Sequence, residues 1–459
     1  MAFLAGIANG AKSLQKVEAS ATSDRSAVNL ANATPDVLED EAERWKYFFE
    51  SGLNSWFEDI KEHTFSSTFC SLEPHEARAI VEHWEARERL LAAKAANADD
   101  LAAAAAVESL LSATVEQLAP LATRLHEAIQ AECAKSPERR AFVKLSTRSP
   151  KDSKKALARA AASYRERVVV DDGSATATTT TTTMNDNDKW IALSEEVTRA
   201  GAVSSGAEAL ELLLDSARVF EDLEYALRGP PATTDYDSGA GAAASPSSPS
   251  LPSLEWNMSL CARAWDPRLT PESEFRGIAW GGELTCLCQY FHPLYFDALA
   301  SSVPPEAATP CPSSSSSDVV SVTPSSLEEA AAAPVGGRAA LVMRDCQATF
   351  NAPAVKAAVA RLGGHCIVDF AWLGPGEVIV IELNPFDGVC LGTFPASTGL
   401  FLWDDPRDQA VMTGEAPFEL RLRTRVLESE RLWAQCNSDW RDIVHPPRHR
   451  AAVSNVASE

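Results

Sequence analysis

The chain has 459 residues and a formal net charge of -23, from 41 lysine and arginine residues against 64 aspartate and glutamate residues. An acidic chain repels phosphodiester backbones, so we expect no direct binding of nucleic acid, although a local basic pocket could still hold a small phosphate. No apolar run reaches the roughly 20 residues that span a bilayer, and no basic segment precedes the short apolar stretch at the N-terminus. We therefore expect a cytoplasmic protein that does not insert into membranes.

The length fits two or three domains, or one large domain with insertions. Residues 1–40 are rich in Ala, Ser and Asn, and we expect them to be disordered. One folded domain is predicted over residues 41–440, followed by a flexible tail at 441–459. Apolar residues at helical spacing and few helix breakers predict one or two long helices over residues 75–135. An aromatic cluster near the start of the domain is expected to be core: Trp45, Phe48, Phe49, Trp56 and Phe57.

Three tracts of low complexity interrupt the predicted domain, at about 172–189, 228–253 and 303–337. Their Thr-, Ser-, Pro- and Ala-rich sequences cannot bury enough apolar surface to offset the entropy lost on ordering. Strand-like segments resume after each tract, so we interpret the tracts as surface insertions in a single fold.

Strand and helix signals alternate without a regular βαβ repeat. A hairpin turn is indicated at Gly281 and Gly282, and a second hairpin is predicted within "HCIVDFAWLGPGEVIVIELNPF". This pattern predicts an α+β fold with antiparallel sheets and packed helices.

The second strand of that last hairpin carries a carboxylate. The β-branched run Val378 to Ile381 favours a buried strand that continues to Pro385, and Glu382 and Asn384 share one of its faces. A buried carboxylate needs a partner, which could be a protein cation, a metal ion, or water at the end of the strand. With Asp369 on the neighbouring strand, two carboxylates and an amide would suit Mg²⁺, and solvated strand ends are the alternative.

Basic side chains in earlier strands could complete a phosphate site. Lys144, Arg263 and Arg276 are the residue types that hold phosphate oxygens, arginine as a planar fork. Each also has a simpler explanation: Lys144 as a charge on an edge strand, Arg263 as a surface residue, and Arg276 as a partner of Glu274 two residues away. Trp265 is more often a core residue than a platform for a base.

In their order along the chain, these segments resemble the cell division cycle protein 123 family, a divergent branch of the ATP-grasp fold. "FVKLSTRSPKDS" is similar to the family's lysine strand, and "LCARAWDPRLTPESEFRGIAWGGELTCLCQYF" is similar to its arginine-containing strands. "CIVDFAWLGPGEVIVIELNPFDG" resembles its acidic hairpin, the most specific of the motifs. The resemblance runs in patches from about residue 45 to 405, and it implies two lobes with a nucleotide in the cleft between them.

The resemblance implies roles for the phosphate end of the site. Lys144 would contact nucleotide phosphate, and Arg276 would face the phosphates. Ser149, Lys151 and Asp152 would belong to a turn that covers the phosphates.

It also implies an adenine end and a metal site. Arg263, Ala264 and Trp265 would lie along the adenine and ribose, although Ala264 stands where the family usually has a basic residue. Glu382 stands where the family usually has aspartate. The residues implied as Mg²⁺ ligands are Asp369, Glu382 and Asn384.

Members of the family are assembly factors for eukaryotic translation initiation factor 2 that bind its gamma subunit, so that the other subunits can join. The resemblance therefore implies a monomeric Mg-ATP-binding assembly chaperone, and it leaves open whether ATP is hydrolysed. The alternative is an ATP-dependent carboxylate–amine ligase, the commoner activity of the wider fold, although the sequence carries no clear signature of an acyl-phosphate acceptor pocket. A scaffold that binds no nucleotide is a third interpretation.

Overall fold

The protein is described from a computed structural model, which covers residues 41–95, 101–172, 184–229, 256–305, 308–311, 318–326, 337–385, 398–403, 405–436 and 438–445. The predicted disordered segment at 1–40 lies outside the described residues, as does most of the predicted tail. Within the described residues, no helix is long and apolar enough to cross a membrane.

The helices are numbered in chain order over the described residues. They are α1 Glu41–Glu50, α2 Leu53–Ile60, α3 Pro74–Ala95, α4 Leu101–Gln117, α5 Ala119–Cys133, α6 Lys154–Asp172, α7 Asp186–Ala200, α8 Gly206–Leu214, α9 Ala217–Arg228, α10 Asp297–Ala300, α11 Arg338–Phe350, α12 Pro353–Arg361, α13 Pro406–Met412, α14 Ser429–Gln435 and α15 Ser438–Val444.

The region predicted as one or two long helices is divided into three, α3 to α5. The break before α5 falls at Leu118, and Pro120 follows in the first turn of the new helix. Proline is tolerated in a first turn but cannot donate the backbone hydrogen bond that would continue a helix through it.

A smaller sheet contains four strands, all antiparallel, in the order β1-β4-β2-β3. Leu121, Leu125 and Ile129, at helical spacing on α5, are fully buried in the core of this half. Part of the predicted aromatic cluster joins the same core, and all five of its residues are buried, as expected. The strands are β1 Ser67–Ser71, β2 Ala141–Leu145, β3 Ala202–Val203 and β4 Ser259–Ala264.

A larger sheet contains seven strands in the order β10-β9-β5-β6-β11-β8-β7. Every pair in it is antiparallel except β11 with β6. Val342 and Phe350 of α11 share its core with Val368 and Phe370 of β9. The predicted α+β class with antiparallel sheets and packed helices is confirmed. The strands are β5 Glu274–Trp280, β6 Glu283–Gln289, β7 Thr309–Pro310, β8 Val319–Val322, β9 Cys366–Gly374, β10 Glu377–Pro385 and β11 Glu419–Arg423.

The structure differs from the expected insertion boundaries in two places. Inside the tract predicted as an insertion at 303–337, β8 is a buried strand paired with β11, because its sequence V-V-S-V supplies β-branched side chains that fit a covered sheet. The tract predicted at 172–189 ends earlier, since Asn185 caps α7 by accepting a hydrogen bond from the backbone of Asp188.

The predicted start of the tail also shifts. Helix α15 runs from Ser438 to Val444 and therefore crosses the expected boundary at residue 441. Trp440 of this helix stacks on Trp190 of α7, with ring centroids 6.5 Å apart, so packing holds this part of the chain on the domain.

Candidate functional site

A β-bulge sets the direction of the carboxylate on β10. Val380 lies opposite Phe370 and Glu382 lies opposite Asp369, so Ile381 is an extra residue without a partner on β9. In a regular strand, residues 380 and 383 would point to opposite faces. The bulge lets Val380 and Leu383 both lie in the core while Glu382 faces the same side as Asp369.

Asp369 is held by a bidentate ion pair within the larger sheet. Arg276, its register partner on β5, donates from Nε to Oδ1 over 2.8 Å and from Nη2 to Oδ2 over 2.9 Å. Asn384 donates from Nδ2 to Oδ2 over 3.0 Å. Asp369 is buried, so the interpretation as a solvated strand end is wrong, and Arg276 pairs with this carboxylate.

Glu382 is held by a cation from the smaller sheet. Lys144 lies on β2, between β4 and β3, and is buried, so it is not a charge on an edge strand. Its Nζ donates to Glu382 Oε1 over 2.6 Å, which joins a strand of the smaller sheet to a strand of the larger sheet. Burial alone would raise the pKa of Glu382, but Lys144, Lys151 and Arg263 hold that pKa well below its usual range. Glu382 is therefore ionised.

Arg263, on β4 of the smaller sheet, is a second cation that contacts β10. It is only 4% exposed, so the interpretation as a surface residue is wrong. Its Nη1 donates to the carbonyl oxygen of Ile381 over 2.7 Å, and its Nη2 donates to Thr64 Oγ1 over 2.7 Å. Its guanidinium thus bonds the backbone of the bulge.

The two residues after Arg263 are occupied by contacts within the smaller lobe. The backbone N–H of Ala264 donates to the carbonyl oxygen of Ser66 over 3.0 Å. The ring of Trp265 is buried against Phe142, with centroids 4.8 Å apart, and its Nε1 donates to Glu138 over 3.0 Å. These contacts suit a core tryptophan, the simpler of the two interpretations of Trp265.

The turn after β2 is fixed to helix α9. Asp152 accepts hydrogen bonds from the hydroxyl of Ser216 and from the backbone N–H of Arg218, so its carboxylate anchors the turn. Lys151 lies at the exposed side of the turn, with Nζ 3.3 Å from the hydroxyl of Tyr290. The hydroxyl of Ser149, in the same turn, lies 3.4 Å from Glu382 Oε1.

Two further residues of the cluster were not predicted as site residues. Glu274 is buried beside Asp369 and Glu382, and burial raises its pKa to about 7, against the opposing effect of Lys151. The sequence did draw attention to Glu274, which stands two residues before Arg276, but it suggested only an ion pair between these two residues.

Tyr290 was missed without any signal. Its ring contacts two cations, with Lys151 Nζ 5.0 Å and Arg276 Cζ 4.7 Å from the centroid. It follows directly on β6, and nothing in the local sequence distinguishes it from a core aromatic residue.

The carboxylates do not form a preorganised metal site. Among the described residues, no group of three or more His, Cys, Asp and Glu side chains is placed to hold a metal ion. Asp369 and Glu382 are instead each paired with a cation. The donor set itself fits Mg²⁺, because two carboxylates and an amide oxygen are hard ligands. The assignment of Asp369, Glu382 and Asn384 as metal ligands stays a prediction.

Comparisons with known proteins give similarity in structure only. Scans of the sequence against protein-family models and against curated proteins find no match. Among solved structures, the fold matches a C-terminally truncated Cdc123 from Schizosaccharomyces pombe at 13% sequence identity and a TM-score of 0.40, covering 83% of this chain and 98% of that chain. It also matches Cdc123 from the same organism at 14% identity and a TM-score of 0.39, with the same coverage.

Proposed function

We propose that this protein binds Mg-ATP between its two sheets and acts as an assembly chaperone for eukaryotic translation initiation factor 2. The observation that supports nucleotide binding is the pairing in the cleft, where Lys144 contacts Glu382 over 2.6 Å and Arg276 contacts Asp369 over 2.8 Å. Each pair joins one candidate metal ligand to one candidate phosphate ligand.

Such pairs suit a site that exchanges partners on binding. Bound Mg²⁺ would neutralise phosphate charge, and Asp369, Glu382 and Asn384 are the residues that would hold it. Lys144 and Arg276 would then face phosphate oxygens in place of the carboxylates. No buried charge would be left without a partner before or after binding, which avoids the large cost of an isolated buried ion.

The proposed client rests on the motif resemblance, because fold alone does not define a function. In this proposal, Mg-ATP orders the cleft between the two sheets. The gamma subunit binds elsewhere on the surface, in the cytoplasm, and the protein works as a monomer.

The nucleotide site is tested by calorimetry with Mg-ATP on the Lys144→Met/Glu382→Leu variant. This variant removes both charges of the pair together, and we expect at least about a hundredfold loss of affinity, or about 3 kcal/mol. The matched control is Arg268→Met/Glu377→Leu, which removes an exposed ion pair and should leave the affinity unchanged. Unchanged Mg-ATP affinity in a folded Lys144→Met/Glu382→Leu variant would overturn the site.

The client is tested separately by recovering the tagged protein from cell extract. We expect the gamma subunit of the initiation factor to be recovered with the wild type. Recovery of no translation factor, together with release of phosphate that depends on an added carboxylate and amine, would contradict the chaperone and favour the ligase.

A further inference from the structure

The bulge on β10 is bonded from outside its own sheet. Strand β10 is at the edge of the larger sheet, next to β9, and its outer side has an isolated parallel bridge between Val380 and Thr64. On that outer side, Thr64 Oγ1 donates to the carbonyl oxygen of Val380 over 2.7 Å, and Arg263 Nη1 donates to that of Ile381 over 2.7 Å. The carbonyl groups of Val380 and Ile381 therefore each accept a side-chain hydrogen bond, and an isolated backbone bridge also pairs Thr64 with Val380.

Thr64 and Arg263 also support each other. Arg263 Nη2 donates to Thr64 Oγ1 over 2.7 Å, and both residues are buried. Thr64 lies just before β1. Arg263 lies on β4, opposite Ser67 of β1, so both residues belong to the part of the chain that carries the smaller sheet. We use the name bulge clamp for Thr64 and Arg263.

The bulge requires partners of this kind. A bulged residue interrupts the ladder, and a buried carbonyl group without a hydrogen bond is costly. If the bulge relaxed into a regular strand, Val380 and Leu383 could no longer both face the core, and Glu382 would no longer share a face with Asp369. What holds the bulge therefore also holds the direction of Glu382 and Asn384.

We propose that Thr64 and Arg263 are positioning residues, which keep Glu382 and Asn384 facing the cleft by holding the bulge at Ile381. This differs from the role that the resemblance implied for Arg263, a place along the adenine and ribose. Both terminal nitrogens of Arg263 already donate within the protein, one to the bulge and one to Thr64.

The first test needs no nucleotide and measures hydrogen exchange of the backbone amides of β10. We compare Thr64→Val, which keeps the shape but removes the hydroxyl, with Thr64→Ser, which keeps the hydroxyl. We expect about tenfold faster exchange over residues 377–384 in Thr64→Val, about the effect of one lost hydrogen bond, and wild-type exchange in Thr64→Ser. The amides of Ala141–Leu145 on β2 serve as an internal control and should not change.

Arg263→Met should give the same local increase in exchange as Thr64→Val. Exchange over β10 that stays at the wild-type rate in Thr64→Val would overturn the proposal. That outcome is decisive even if Arg263→Met does not fold.

The second test rests on the proposed function and separates positioning from direct contact with the nucleotide. ATP affinity is measured with Mg²⁺ and with a chelator. If the clamp positions metal ligands, Thr64→Val and Arg263→Met should lose about tenfold in affinity with Mg²⁺ and little without it. An equal loss under both conditions, confined to Arg263→Met, would make Arg263 a nucleotide contact and overturn its role in the clamp.

A wild-type protein that binds no ATP at all would overturn the proposed function. The hydrogen-exchange result would still decide whether the clamp holds the bulge.

Discussion

Two groups of carboxylates in this protein, each with buried members, differ in what they bind. The cleft carboxylates, Asp369 and Glu382, are paired with the side-chain cations Arg276 and Lys144. In the proposed function, those cations turn to phosphate oxygens and a metal ion takes their place. The second group, which we call the anchor carboxylates, binds the turn after β2 or the helices next to it: Asp152, Asp215 and Asp222.

Two of the anchor carboxylates, Asp152 and Asp215, have backbone partners that cannot be exchanged. Asp152 accepts from the backbone N–H of Arg218, and Asp215 accepts from that of Lys155. A backbone donor leaves its acceptor only when the local fold opens. Burial does not separate the two groups, since Asp369, Asp215 and Asp222 are all buried, whereas a backbone donor marks Asp152 and Asp215 as structural anchors.

The largest effect on stability is expected for Asp215→Ala. Asp215 pairs with Arg87, and its Oδ2 accepts from Lys155 N over 2.7 Å and from Ser153 Oγ over 3.1 Å. Removing the carboxylate leaves these donors without their acceptor, and we expect unfolding to become easier by about 4 kcal/mol, measured by urea denaturation. The control is Glu211→Ala on helix α8, which removes an exposed ion-pair partner of Arg159. It should change the free energy of unfolding by less than about 0.5 kcal/mol.

The second prediction uses double variants to contrast the two groups. Glu382→Leu alone leaves Lys144 buried without its partner, and we expect a loss of about 3 kcal/mol in the free energy of unfolding. Lys144→Met/Glu382→Leu should recover most of this loss, because no buried charge remains. Arg87→Met/Asp215→Leu should not recover, because the backbone N–H of Lys155 still lacks its acceptor. Equal recovery in both double variants would contradict the distinction.

Part of the site could be predicted from the sequence, because local patterns carry it. The β-branched run before Glu382 indicated the strand to Pro385, and the hairpin placed Asp369 beside Glu382, as the structure has them. The bulge at Ile381 could not be predicted, because an uninterrupted apolar run has no alternation from which a shift could be read.

Long-range contacts explain the other differences. Asp152 lies in a turn with Ser149 and Lys151, and only the position of helix α9 shows that it is an anchor. In the same way, β8 follows a serine-rich tract, and its place in the sheet depends on β11, about a hundred residues later.

The third prediction concerns pH and Asp222. Burial raises the pKa of Asp222 from 3.8 to about 6, against the opposing effects of Arg148 and Thr147. Because the folded state binds this proton more tightly than the unfolded state, the contribution of Asp222 to stability falls as the pH rises from about 4 to about 6. The shift corresponds to as much as about 3 kcal/mol.

Urea denaturation at pH 4 and pH 7 checks this sign. Relative to Asp222→Asn, the wild type should lose about 2 kcal/mol between the two pH values. Glu221→Gln, an exposed neighbour, should show no such difference. Glu382 should show the opposite pH dependence, because its pKa is lowered in the folded protein. Its contribution to stability is present above the usual glutamate pKa and is lost as the pH falls.

The smallest effects on stability are expected for serine-to-alanine substitutions at two positions of the turn after β2. Ser153 is fully buried, donates to Asp215 over 3.1 Å and accepts from the backbone N–H of Ala156 at the start of α6 over 3.3 Å. Ser149 is partly exposed and lies 3.4 Å from Glu382, which Lys144 already holds. We expect Ser153→Ala to cost about 1.5 kcal/mol and Ser149→Ala less than about 0.5 kcal/mol in urea denaturation. An equal loss of stability at Ser149 and Ser153 would contradict the comparison. It would mean that a serine hydroxyl holds Glu382 as firmly as another holds Asp215, so that the partners of Glu382 could not exchange.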